Sequence, residues 1–103
     1  MSVNEVKKII KNYAQVLRDS GFLFSNIYLF GSYASGKADK NSDIDVAIIS
    51  KKTKDYLNAK MLLWKLAARA DSRIEPTLID ENDFKTRGTQ MACEARKSGI
   101  KIV

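Results

Sequence analysis

Apolar positions along this chain recur first at helical spacing and then in short β-type runs. Val6, Ile9, Ile10, Tyr13, Val16 and Leu17 lie three or four apart and predict an amphipathic helix from Val3 to about Arg18. Ser2 and Glu5 form a capping-box pattern at its start, and Gly21 supplies a C-terminal stop. Asn26 to Phe30 is an unbroken β-prone run ending at Gly31, which predicts a buried strand. Ser32 to Ser42 is small and polar, with Gly36 and Asn41 as turn formers, and a second strand is expected from Asp43 to Ile49. Thr53 is a candidate N-cap for a helix from about Lys54 to Ala70. Ile74 to Ile79 predicts a third strand, placed at a sheet edge because Pro76 lacks a ladder donor. A last helix, about Thr89 to Lys97, stops at Gly99, and Ile100 to Val103 is a candidate terminal strand. The order is α-β-β-α-β-α(-β). The first two strands are joined too tightly for a parallel crossover, so they should pair antiparallel within a mixed sheet. The expected class is α/β (α+β), a small mixed sheet with helices packed on it, in a single domain spanning 1–103.

Composition narrows the function classes. Apolar residues make up 45% and charged residues 29% of the 103 residues, the balance of a globular domain. No run approaches the roughly 20 apolar residues that span a bilayer, and the amphipathic start has no signal-peptide pattern. The one cysteine, Cys93, allows no internal disulfide and suits a reducing cytoplasm; it is expected to be a small core residue. A net charge of +6 raises the question of nucleic acid. Its distribution is uneven: Lys51, Lys52, Lys54, Lys60, Lys65, Arg69 and Arg73 face only Asp55 and Asp71, whereas 74–84 holds Glu75, Asp80, Glu81 and Asp83 and no base. A solvated helix face accounts for the basic stretch, with attraction of a triphosphate, an RNA or an acidic partner as alternatives. A single-strand RNA binder would present aromatic stacking positions, but Tyr28, Phe30 and Trp64 are expected in the core.

The chemistry-bearing stretch is Gly31-Ser32, ten residues, then Asp43-Ile44-Asp45. Side chains alternate along a strand, so Asp43 and Asp45 point to one side and Ile44 and Val46 to the other. Adjacent carboxylates repel, and a hard divalent cation such as Mg²⁺ compensates them; the bland alternative is a pair of turn residues at the strand mouth. Gly31 permits close backbone approach, and Ser32 would open a short helical turn offering a hydroxyl and N–H groups to phosphate. An antiparallel hairpin brings this cradle beside the two aspartates. Glu75, alone in an apolar strand, completes a carboxylate triad if the third strand lies beside the second; otherwise it faces outward from the edge. Gly31 to Ala38 reads G-x-x-x-x-G-K-A, but a Walker loop needs Ser or Thr where Ala38 stands and a helix after the lysine.

The stretch from Leu29 to Lys37 and from Ser42 to Ile49, followed by the carboxylate at Glu75, resembles the nucleotidyltransferase superfamily that includes DNA polymerase β, and within it the minimal single-domain branch. Two positions depart from the common pattern: Ser35 stands where relatives frequently have arginine, and Glu75 where aspartate is more common. The resemblance implies the polymerase beta-like palm fold and a two-metal transfer of a nucleoside monophosphate, AMP from ATP, to an acceptor hydroxyl. It implies that Asp43, Asp45 and Glu75 hold Mg²⁺, with Glu75 as an alternative base, while Gly31, Ser32 and Lys37 bind the triphosphate. Minimal members resemble one half of a toxin–antitoxin pair whose partner is an all-helical HEPN-type protein. The residues add one motive for a partner: Leu57, Met61 and Trp64 form a stripe, and Leu62, Leu63 and Leu66 widen the apolar face of the second long helix. The rival reading from another class is an inactive antitoxin of the same fold that acts by complex formation alone. Self-association stays open.

Overall fold

The computed structural model describes residues 1–86 and 90–103. Helix α1 spans Val3–Asp19, strand β1 Asn26–Phe30, the short helix α2 Ser32–Ser35 and strand β2 Ile44–Ser50. Helix α3 spans Tyr56–Ala70, strand β3 Ile74–Asp80, helix α4 Glu81–Thr86, helix α5 Gln90–Ser98 and strand β4 Ile100–Lys101. The capping box forms as expected: the Ser2 hydroxyl accepts from Glu5 N–H at 3.2 Å, and the Glu5 carboxylate accepts from Ser2 N–H at 3.4 Å.

The strands order β3-β2-β1-β4 in one mixed sheet. β1 runs antiparallel to β2 and β4, and β2 runs parallel to β3, with α3 as the crossover between them. Pro76 therefore sits on an edge strand, where its missing donor costs the ladder nothing on the outer side. The sheet has two unequal faces. Ile27, Leu29, Ile44, Val46 and Ile48 point into the larger core, closed by α1 and α3. Tyr13 of α1 donates its buried hydroxyl to the Leu63 carbonyl of α3 at 2.9 Å, and burial pushes that phenol well above its ordinary pKa. The other face carries Phe30, Ala47, Ile49 and Ile79 under Ala92 and Ala95 of α5, and the Tyr28 and Phe84 rings meet at 5.0 Å.

Several expectations shift. β2 begins at Ile44, leaving Asp43 just ahead of the ladder, because the first pairing across to β3 uses Ile44, whose N–H donates to the Arg73 carbonyl at 2.8 Å. α3 begins at Tyr56 with Asp55 as N-cap in place of Thr53. The Asp55 carboxylate accepts from Asn58 N–H at 3.2 Å with one oxygen and from the Asn58 amide at 2.6 Å with the other. α4 was not foreseen; Asp80 starts it by accepting from Asn82 N–H at 2.7 Å. Trp64 is 48% exposed, so it is not a core residue, and Cys93 is half-buried on α5. The expected start of the last helix at Thr89 lies outside the described residues.

Candidate active site

Three strand ends meet at one corner of the sheet. In the ladder Asp45 lies between Phe30 of β1 and Glu75 of β3, so the hairpin and the parallel crossover together set Glu75 beside Asp45. By alternation both carboxylates share the face of Ala47 and Ile49, the side covered by α5 and opposite α1 and α3. Asp43 and Glu75 are exposed and Asp45 is half-buried.

Gly31 closes β1 with φ 73° and ψ −151°, a conformation that side chains other than glycine rarely adopt. A Cβ at this position would collide with the Asp45 carboxylate and crowd the rest of its side chain. The Gly31 backbone and the Asp45 carboxylate are thus in direct apposition. After Gly31 the chain makes the single turn of α2, anchored by buried Tyr33 and stopped by Gly36 in the left-handed region. The Ser32 carbonyl accepts from Lys37 N–H at 2.9 Å and from the Ser35 hydroxyl at 3.2 Å, which ties the lysine-bearing turn to the serine. The Lys37 side chain itself is exposed, and among the described residues the only ion pair in the chain is Arg73–Asp71. The loop to Asp43 is braced by Asp39, which accepts from Asn41 N–H at 2.8 Å and gives its own N–H to the Ser42 hydroxyl at 2.9 Å.

The carboxylates feel one another. Burial raises the Asp45 pKa, and the neighbouring charges of Asp43 and Glu94 raise it further, while a hydrogen bond from Glu75 lowers it. Burial raises Glu75 as well, followed by the Asp43 charge and by hydrogen bonding toward Asp45 and Asp43. Asp45 and Glu75 therefore hold protons more tightly than isolated acids would, first because they are partly desolvated and then because other carboxylates stand beside them. Among the described residues no group of three or more His, Cys, Asp or Glu side chains is placed to hold a metal ion, so Asp43, Asp45 and Glu75 are neighbours without forming a three-carboxylate metal site. Mg²⁺ is held through one or two carboxylates, with phosphate oxygens and waters filling its octahedron, so an oxygen-only, acid-repelling cluster is the donor set that fits it.

Sequence reasoning missed two contributors. Glu94 of α5 adds its charge to Asp45 from the far end of the chain, and no motif spacing connects the two. The turn before β3 is the second: Asp71 accepts from Arg73 N–H at 2.9 Å and grips its guanidinium at 2.9 and 2.7 Å, while the Arg73 carbonyl takes Ile44 N–H. This sets the register that brings Glu75 to Asp45. An Asp-Ser-Arg turn with the acid two residues ahead is readable in principle as an Asx turn. Two cavities lie away from this corner: one of about 770 Å³ between Phe22, Phe24 and Lys51–Asp55, and one of about 420 Å³ beside Tyr56 and Asp83. We place the site at the carboxylates because chemistry needs the donors, and an open corner admits a long polyanion.

The family described as polymerase beta nucleotidyltransferase matches residues 4–103. The protein adenylyltransferase MntA of Shewanella oneidensis is 43% identical over 79 residues, covering 77% of this chain and 52% of that protein, so the chain's match spans about half the length of that relative. One solved chain, from a toxin–antitoxin complex with AMP-PNP, aligns with a TM-score of 0.65 at 29% identity, over 94% of this chain and 72% of its own length. Another, from the complex of tri-AMPylated Shewanella oneidensis HEPN toxin with its MNT antitoxin, aligns with a TM-score of 0.58 at 25% identity, over 98% and 71%.

Proposed function

Since this chain belongs to the polymerase beta nucleotidyltransferase family, we propose that it transfers AMP from ATP to an acceptor hydroxyl on a HEPN-type partner protein, as the antitoxin of a toxin–antitoxin pair. The observation that carries the reading is the apposition of the Asp45 carboxylate to the Gly31 backbone, with Asp43 and Glu75 close enough to interact with Asp45 and with one another. Asp43 and Asp45, with Glu75, would hold Mg²⁺, which when bound stabilises charge on the attacking and departing oxygens. The absence of a side chain at Gly31 lets its backbone lie directly against the Asp45 carboxylate, and the Ser32 hydroxyl and the N–H groups that follow Gly31 would hold the β- and γ-phosphates of the triphosphate. Lys37, on the turn tied to Ser32, would neutralise part of their charge. The acceptor oxygen attacks the α-phosphorus in line, the bond to the β-phosphate bridging oxygen breaks, and pyrophosphate leaves. Glu75 would either help hold the metal on the acceptor side or take the acceptor proton as base. Cytoplasmic residence goes with this reading, because ATP and an intracellular toxin are both found there.

Isothermal titration of ATP with Mg²⁺ into the wild-type chain and into Asp43→Ala/Asp45→Ala tests the site. Binding by the wild type, lost in the double variant, is the expected result. A mass increase of one AMP per modified residue on a HEPN-type partner, requiring ATP and the same aspartates, tests the reaction. Partner binding with no mass change under any nucleotide would replace the enzyme reading with that of a binding module.

A further inference from the structure

Helix α3 is apolar on two sides. Leu63, Leu66 and Ala67 are buried against the sheet and α1. Leu57 is 67% exposed, Met61 62% and Trp64 48%, and Ala68 is exposed as well. These four follow a 4-3-4 spacing, which gathers them into one seam roughly 16 Å long at 1.5 Å per residue, on a side of the helix turned away from the buried one. Alternating steps of four and three are the pattern by which one helix receives the side chains of another lying nearly along it. Lys60 borders the seam on one side, Lys65 and Arg69 on the other, and α3 contains no acidic residue between Tyr56 and Ala70.

We propose that the outer face of α3 is the docking surface for a helix of the partner protein, one with an apolar stripe at 3–4 spacing and acidic residues along both borders. This rests on the reading above that the chain works in complex with a HEPN-type protein. Charge complementarity selects that occupant over a second copy: two α3 seams brought together would set Lys60, Lys65 and Arg69 against their own equivalents with no carboxylate to answer them. A lipid surface is disfavoured because the stripe is one side chain wide and its cations stand beside it, whereas an interfacial helix buries a broad apolar face. The position has a consequence. The carboxylate corner lies on the other face of the sheet, so the docking helix cannot itself carry the acceptor hydroxyl. Holding the partner and modifying it are separate acts, and the acceptor comes from another segment or another subunit of the partner.

Trp64 is the chain's single tryptophan, so its fluorescence reports the seam directly. The chain is co-expressed with the HEPN-type protein of the same source organism, and acrylamide quenching of Trp64 is compared between the free chain and the complex. Expected is a severalfold lower quenching constant in the complex. Leu57→Glu and Met61→Glu should each weaken the complex by at least about tenfold while leaving Mg²⁺-dependent ATP binding unchanged. Retained ATP binding also shows that the variants fold. A complex that forms with Trp64 still fully quenchable, or that survives both substitutions, overturns the docking face and leaves the partner reading standing. Protection of Trp64 by phosphatidylserine vesicles, or by raising the concentration of the chain alone, with none from the HEPN-type protein, overturns the assigned occupant. No complex and no protection under any condition overturns the docking face and the partner reading together.

Discussion

A methyl group at Gly31 would collide with the Asp45 carboxylate and would have to sit at a φ of 73°, so two independent penalties meet at one atom. Gly31→Ala is expected to cost about 1–3 kcal/mol of stability from the backbone alone. If Asp45 holds metal as proposed, displacing its carboxylate by an ångström should cost transfer about 100-fold or more. Denaturant unfolding and AMP incorporation measured on the same preparation separate the two, and a variant that folds normally and transfers normally would refute the apposition. The carboxylates make a second prediction, about pH. Asp45 and Glu75 have folded-state pKa values above their ordinary values, so the folded chain keeps protons that the unfolded chain releases. Their contribution is greatest below the ordinary carboxylate values and declines as pH rises through the raised ones. Metal-free stability of the wild type should therefore lose ground from about pH 4 to about pH 7 relative to Glu75→Gln, which cannot ionise. The difference should not exceed about 1 kcal/mol, since Glu75 is open to solvent, and denaturant midpoints across that range measure it. Asp71 runs the other way: its bonds to Arg73 lower its pKa, and the stability it adds is lost only as pH falls through that value. The Gly31-Ser32 and Asp43-x-Asp45 spacing was enough to find this corner, because a strand end and the start of its hairpin neighbour are adjacent by topology. Glu94 was invisible, because only tertiary packing brings α5 to Asp45.

Element boundaries erred where two polar residues competed for one task. Thr53 and Asp55 are both N-cap residues by type, and the carboxylate wins because it serves both the N–H and the amide of Asn58. α4 escaped notice because Glu81–Thr86 has no buried residue and so no apolar period to read. α3 itself was legible as a helix, but its two-sided apolar character could not be apportioned from sequence: Leu57, Met61 and Trp64 look as core-like as Leu63 and Leu66 until the sheet takes one side. The two sides should respond differently to truncation. Leu66→Ala opens a cavity in the core shared with α1 and should cost about 2–5 kcal/mol. Leu57→Ser, on the exposed side, should stay within about 0.5 kcal/mol in the isolated chain. Equal losses in denaturant midpoint would mean that the outer side is covered by the chain itself.

At the scale of the molecule, the sheet separates a thick layer of α1 and α3 from a thin one of α4 and α5, and on the thin side Asp43 and Glu75 stand exposed. Neither of these two cavities is lined by Asp43, Asp45 or Glu75, and Asp43 and Glu75 are exposed, so the carboxylates stand at an open corner of the described residues. Base discrimination depends on buried polar groups that the wrong base leaves unpaired, and a site open to water lets solvent satisfy them. Triphosphate and metal contacts, by contrast, are common to every nucleotide. The isolated chain is therefore expected to bind ATP and GTP with Mg²⁺ within about tenfold of each other, a difference of about 1.4 kcal/mol. Selectivity for ATP would then arise in the complex, where a partner surface can supply the missing wall. Parallel titrations of both nucleotides into the free chain and into its complex with the HEPN-type partner decide the matter. A sharp preference for ATP in the free chain would require a base-binding surface within the chain itself, and a preference that appears only in the complex would make the partner part of the nucleotide site as well as its target.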